Sequence, residues 1–196
     1  MNKKKIIASS LVVALLMGYI PRFSFASESI GKNYRYYGDN RYLTSVEISK
    51  NGFKSADTVI IASGENYPDA LCAAPLAKKF NAPILLVSKN SITNEVLQEI
   101  QRIGAKNVFI VGGKDVVSDD VKSKIQSLNI NVMRVSGKDR YETSYEVAKL
   151  VNSDKVVLAS GEDFPDALSV APIAARMGWP ILLTQKTICH KKLNSI

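Results

Sequence analysis

Two nine-residue segments set the same polar groups at the same spacing. Ser63-Gly64-Glu65 is followed by Asp69, and Ser160-Gly161-Glu162 by Asp166, each inside Ser-Gly-Glu-x-aromatic-Pro-Asp-Ala-Leu. A turn of this kind could offer an anion the backbone N–H groups around Gly64 or Gly161 and those at the N-terminus of the following helix. Its carboxylates, Glu65, Asp69, Glu162 and Asp166, could instead ligate a cation. The plainer alternative is that glycine permits a tight turn while the acids cap helices and pair with arginine. Arg41 and Arg140, in Asp-x-Arg-Tyr and Asp-Arg-Tyr contexts, are the natural cationic partners. A guanidinium fork suits an internal aspartate or a bound phosphate. Tyr42 and Tyr141 beside them could stack on a sugar or fill a core edge.

Other chemistries find little footing. Val111-Gly112-Gly113-Lys114 lacks both the GxxxxGK[ST] spacing and the GxGxxG fingerprint of nucleotide sites. No serine sits in a GxSxG elbow, and a lone histidine, His190, makes no triad. Cys72 and Cys189 are too few for a disulfide scaffold and lack metal-ligand spacing, so neither a zinc site nor any other cofactor is expected.

The elements that must hold these turns repeat with them. Residues 62–86 and 159–183 are about half identical, and GDNRYLTSVEIS from Gly38 recurs as GKDRYETSYEVA from Gly137, a period of 97 to 99 residues. That is too long for a solenoid of short repeats, so each unit is a small domain or a large part of one. Val59–Ala62 and Val156–Ala159 read as buried strands, followed by the Ser-Gly-Glu turns. Helices are expected over Ala70–Phe80 and Ala167–Met177, with Pro68 and Pro165 at their starts. Pro75 and Pro172 should bend or interrupt them. Ile84–Val87 and Ile181–Leu183 are the next strands. The first unit continues through a helix Thr93–Arg102, a strand Val108–Val111, a helix from Ser118 to about Leu128 and a strand Val132–Val135. The second unit shows no such continuation.

Alternating strands and helices predict an α/β fold, a three-layer sandwich around a parallel sheet, with one full and one partial copy. Every strand's C-terminal end then lies on one edge, together with the Ser63-Gly64-Glu65 and Gly112-Gly113 turns, and ligands of open α/β sheets usually bind there.

Composition narrows the setting. The 196 residues are 46% hydrophobic and 22% charged, with a net charge of +8. Lys3, Lys4 and Lys5 precede an apolar run from Ile6 to Ile20 and a Ser24-Phe25-Ala26 end, which reads as a secretory signal peptide cleaved between Ala26 and Ser27. The run is short for a bilayer span. Removing residues 1–26 takes away four bases and no acid, leaving 22 bases against 18 acids, a charge of +4.

The paired ASGENYPDAL and ASGEDFPDAL segments, APLA and APIA, PILL twice, VFIVGG and RVSGKDRYETSYEVA resemble the cell wall binding repeat, type 2, of exported Gram-positive proteins, best known from clostridial surface-layer and cell-wall proteins. The resemblance covers about residues 35–187. It implies Rossmann-like or Toprim-like units, used in threes, that attach a protein without catalysis to an anionic cell-wall polysaccharide at the cell surface. It points to the PILL strand ends, Pro83, Ile84, Leu85 and Leu86 with Pro180, Ile181, Leu182 and Leu183, as polymer contacts; a sheet-core role competes for the apolar ones. Residues 27–136 form the first repeat, 137–187 a truncated second and 188–196 an unstructured tail. One and a half repeats instead of three, with no effector region, suggest a truncated gene product or a partner that associates with itself or with other wall-binding repeats. The rival expectation is a Toprim-like, Mg-dependent phosphotransfer or phosphodiester enzyme using Glu65, Asp69 and their counterparts.

Overall fold

The computed structural model describes residues 34–185. The expected leader with its Ala26-Ser27 cleavage point, Cys189, His190 and the expected tail lie outside the described residues.

Among the described residues, six parallel strands and six helices alternate in the order α1 (Arg41–Gly52), β1 (Thr58–Ser63), α2 (Tyr67–Phe80), β2 (Ile84–Val87), α3 (Asn94–Arg102), β3 (Asn107–Val111), α4 (Asp119–Gln126), β4 (Asn131–Val135), α5 (Arg140–Val151), β5 (Val157–Ser160), α6 (Pro165–Met177) and β6 (Ile181–Thr184). The first four strands form one sheet in the order β2-β1-β3-β4, and β5 pairs with β6 in a second. Ile60 stands opposite Ile84 and Phe109, as Val157 stands opposite Ile181, so the two repeats share the β1–β2 register.

Strand alternation sends side chains to two cores. Val59, Ile61, Leu85 and Val108 pack with Val46 of α1, Ile100 of α3 and Val121 of α4 on one face. Ile60, Val111 and Val135 pack on the other with Cys72 and Leu76 of α2 and with Val147 and Val151 of α5. A helix of the second repeat thus completes a core of the first. A third cluster joins Ala159, Ala167, Ala171, Ile181 and Leu183, with Leu71 and Ala74 of α2 packed against it.

Two expectations need correction. Pro75 and Pro172 do not interrupt their helices: α2 and α6 each run through the proline without a break, and Pro75 is buried in the packed face. Helices α1 and α5 were not foreseen as helices. They carry the GDNRYLTS and GKDRYETS segments, and each begins at a side-chain cap: Asn40 accepts from the N–H groups of Tyr42 and Leu43, Asp139 from that of Glu142. Ser118 caps α4, its side chain accepting from the Val121 N–H. Cys72 is wholly buried, and burial pushes its thiol well above the ordinary range.

Candidate functional site

The repeated segments interlock around the strand ends. Gly38 and Gly137 N–H groups donate to Thr44 and Thr143 Oγ1 at 3.1 and 3.0 Å. Ser45 Oγ accepts the Leu86 N–H of edge strand β2 at 3.0 Å, and Ser144 Oγ does the same for Leu183 of β6. Arg41 donates to the Gly64 carbonyl, and Arg140 donates to that of Gly161 at 2.7 Å. The ring of Tyr42 lies under Gly64 so closely that a Cβ there would sit 2.7 Å from Cε1; for Gly161 and Tyr141 the distance is 2.5 Å. Glycine is required at these turns because a tyrosine ring occupies the space.

This geometry takes up the glycine-turn donors of the anion reading. Gly64 N–H donates to Val87 O at 2.8 Å, and the Glu65 and Asn66 N–H groups donate to Ser63 Oγ at 3.1 and 3.0 Å. In the second repeat Gly161 N–H goes to Thr184 O, and Glu162 N–H to Ser160 Oγ. The donors around Gly64 and Gly161 are already engaged, while the first turns of α2 and α6 have no side-chain cap. The expected aspartate–arginine ion pair is also corrected: both guanidinium groups hold turn carbonyls, while Asp139 serves as a helix cap.

The acids are not gathered for a cation either. Glu65 accepts from the Tyr42 hydroxyl at 3.4 Å and from Lys89 N–H at 3.2 Å. Tyr42 titrates above the ordinary tyrosine range, through burial and through Glu65 beside it. Glu162 and Asp166 lie exposed on the second repeat. Among the described residues no group of three or more His, Cys, Asp or Glu side chains could hold a metal ion.

Asp69 is different, being 6% exposed and set between the repeats. Burial raises its pKa and the charge of Arg140 partly draws it back. A Cβ on Gly112, whose φ is +116°, would strike its Oδ2 at 2.8 Å, so that glycine serves both the turn and the carboxylate. Asp69 lines a cleft of about 200 Å³ with Asn66, Gly113 and Asp115 from the first repeat and Lys138, Asp139 and Arg140 from the second. The cleft opens at the C-terminal edge of the four-stranded sheet, the edge expected to receive ligands.

The PILL segments are mostly core. Pro83, Leu85, Pro180, Ile181 and Leu183 are buried, while Ile84, Leu86 and Leu182 are half-buried. Lys138, Asp115 and Asp139 of the inter-repeat cleft were missed, because it draws on loops some 70 residues apart, although the edge itself, Asp69 and Arg140 were singled out.

A family model described as Cell wall binding domain 2 (CWB2) matches residues 35–122 and 134–195. The chain is 37% identical over 190 residues to N-acetylmuramoyl-L-alanine amidase LytC of Bacillus subtilis (strain 168), a match covering 95% of this chain and 38% of that protein. It is 36% identical over 214 residues to the amidase enhancer of the same organism, covering 93% and 30%. Among solved structures, Cwp6 from Clostridium difficile superposes with a TM-score of 0.73 at 36% identity over 77% of this chain and 25% of that one. Cwp8 from the same species gives 0.72 at 39% identity, over 76% and 27%. The chain therefore spans well under half the length of these relatives.

Proposed function

The chain belongs to the cell wall binding domain 2 family, and from that premise we propose that it is a secreted, noncatalytic module that holds to an anionic cell-wall polysaccharide of a Gram-positive bacterium. The observation that carries this reading is the family match across both repeats. The composition agrees: the chain without residues 1–26 keeps a charge of +4, which favours a phosphate-bearing or acidic glycan. The residue division is that of a leader over 1–26, a first repeat over 27–136 and a second over 137–187.

We place the polymer at the inter-repeat cleft, with the PILL strands as a second contact. Lys138 and Arg140 supply positive charge at the cleft, where Asp115 and Asp139 also stand and burial favours the neutral form of Asp69, and the half-buried Ile84, Leu86 and Leu182 offer apolar surface along the PILL strands. The turn residues Ser63, Gly64, Glu65, Ser160, Gly161 and Glu162, with Arg41, shape this surface through their mutual hydrogen bonds rather than by free donors. Asp166 and the buried Pro83, Leu85, Pro180, Ile181 and Leu183 have no polymer contact in this reading.

Sedimentation with purified walls tests it. Walls carrying their anionic polymer are expected to pull down the protein, walls stripped of it to pull down far less, and added salt to weaken retention as screening grows. Equal sedimentation with both walls overturns the proposal.

A further inference from the structure

The Asp69 side chain is more than nine-tenths buried, yet among the described residues its carboxyl accepts no hydrogen bond and makes no ion pair. The Cys72 thiol, one turn further along α2, donates to the Asp69 backbone carbonyl instead, at 3.1 Å. No described side-chain oxygen is sealed away without a partner, so this carboxyl is open to the inter-repeat cleft that it lines. Buried polar groups are as a rule hydrogen-bonded, and one that is not, at the wall of a cleft, marks a ligand contact.

The charged groups that line the cleft with Asp69 come from two loops: Asp115 after β3, and Lys138, Asp139 and Arg140 at the head of α5. Helix α6, packed along α2, brings none. Asp139 is taken up as the cap of α5, accepting the Glu142 N–H at 2.8 Å, and Glu142 accepts the Lys138 N–H at 2.8 Å. Arg140 gives one terminal nitrogen to the Gly161 carbonyl and keeps its other N–H donors. The first turn of α2, which carries Asp69, has no side-chain cap, so its N–H groups add positive potential beside the carboxyl. These cations and N–H groups favour an anion, which an ionised Asp69 would oppose. Burial already favours the neutral acid, the Arg140 charge drawing it only part of the way back, and an arriving anion favours it further. A neutral carboxyl has an O–H to give, and an oxyanion is a strong acceptor for it. Resting on the function proposed above, we propose that Asp69 meets the polymer as a neutral acid, donating its O–H to a phosphodiester oxygen beside Lys138 and Arg140. Attachment then takes up one proton from the buffer wherever the free protein holds Asp69 ionised, and it tightens as pH falls.

Sedimentation with purified walls from about pH 8 to about pH 5 reads the attachment, a range in which a phosphodiester keeps its charge. Retention of the parent chain should strengthen about tenfold toward acid. Asp69→Asn puts an amide N–H where the acid has its O–H, and should hold walls at about pH 8 as strongly as the parent chain does at about pH 5. Asp69→Ala removes the charge without supplying a donor, and should be retained about tenfold less than Asp69→Asn; circular dichroism reports the folding of each variant. Carbon-13 NMR of the parent chain should show the Asp69 carboxyl titrating at higher pH when dimethyl phosphate is added. Retention that is flat with pH, that weakens in acid, or that is equal in Asp69→Asn and Asp69→Ala overturns the proposal and leaves wall binding standing. Failure to sediment with walls at any pH overturns wall binding itself, and an Asp69 titration that dimethyl phosphate leaves unmoved overturns the anion contact whether or not walls are bound.

Discussion

Glu99 is a carboxylate with 1% of its surface exposed, and three donors hold it: Ser49 Oγ at 2.5 Å, Arg102 Nε at 2.6 Å and an Arg102 terminal nitrogen at 2.8 Å. Burial alone would raise its pKa, but these hydrogen bonds and the Arg102 charge outweigh it and hold the group below the ordinary glutamate range. The stability it contributes is therefore complete above the unfolded pKa, about 4.3, and is lost as pH falls through the lowered folded value. Arg102→Ala should cost about 2 kcal/mol in urea denaturation at pH 7, and the deficit should shrink on acidification as Glu99 takes up its proton. Asp69 has the opposite sign. Its folded pKa lies above the ordinary value, so its contribution is complete in acid and declines as pH rises through the folded pKa. Asp69→Asn should raise the melting temperature at pH 7 and leave it unchanged in strong acid; a lower melting temperature at pH 7 would mean that the Arg140 charge outweighs burial.

The strands and the helices between them were legible because buried parallel strands are unbroken apolar runs and the intervening helices end at clear breakers. Helices α1 and α5 were not, because each buries mainly small or polar side chains, Ser45, Val46 and Ser49 in one and Thr143, Ser144, Val147 and Val151 in the other. No wide apolar stripe marks them; the Asp139-x-x-Glu142 spacing was the available sign, with Glu142 also accepting the Lys138 N–H at 2.8 Å. The turn was found by its repetition, but its donors could not be assigned from sequence, since their partners Val87 and Thr184 belong to the next strand. These interlocks make predictions at the level of the element. Ser144→Ala leaves the buried Leu183 N–H without its partner and should cost about 1–2 kcal/mol. Gly161→Ala drives a methyl group into the Tyr141 ring and should cost about 1–3 kcal/mol. Thermal unfolding of each variant measures both, and the second repeat should lose amide-exchange protection before the sheet of the first.

Over the whole molecule, the two repeats are joined by core as well as by chain: Lys79 Nζ donates to the Leu150 and Val151 carbonyls at 2.9 and 3.0 Å, and Val147 lies in the first repeat's core. A polymer with a repeating charge meets such a molecule as an array, so retention depends on how many repeats one particle carries. The inter-repeat cleft should therefore hold a short polymer fragment weakly, while the same protein coupled at high density to a bead should retain the whole polymer about 100-fold more strongly or better. Lys138→Glu acts at the mouth of the cleft and should lower both the calorimetric affinity for a fragment and the retention on beads. If retention fell and fragment affinity did not, the contact would lie outside the cleft; if neither fell, the array would be built on another surface.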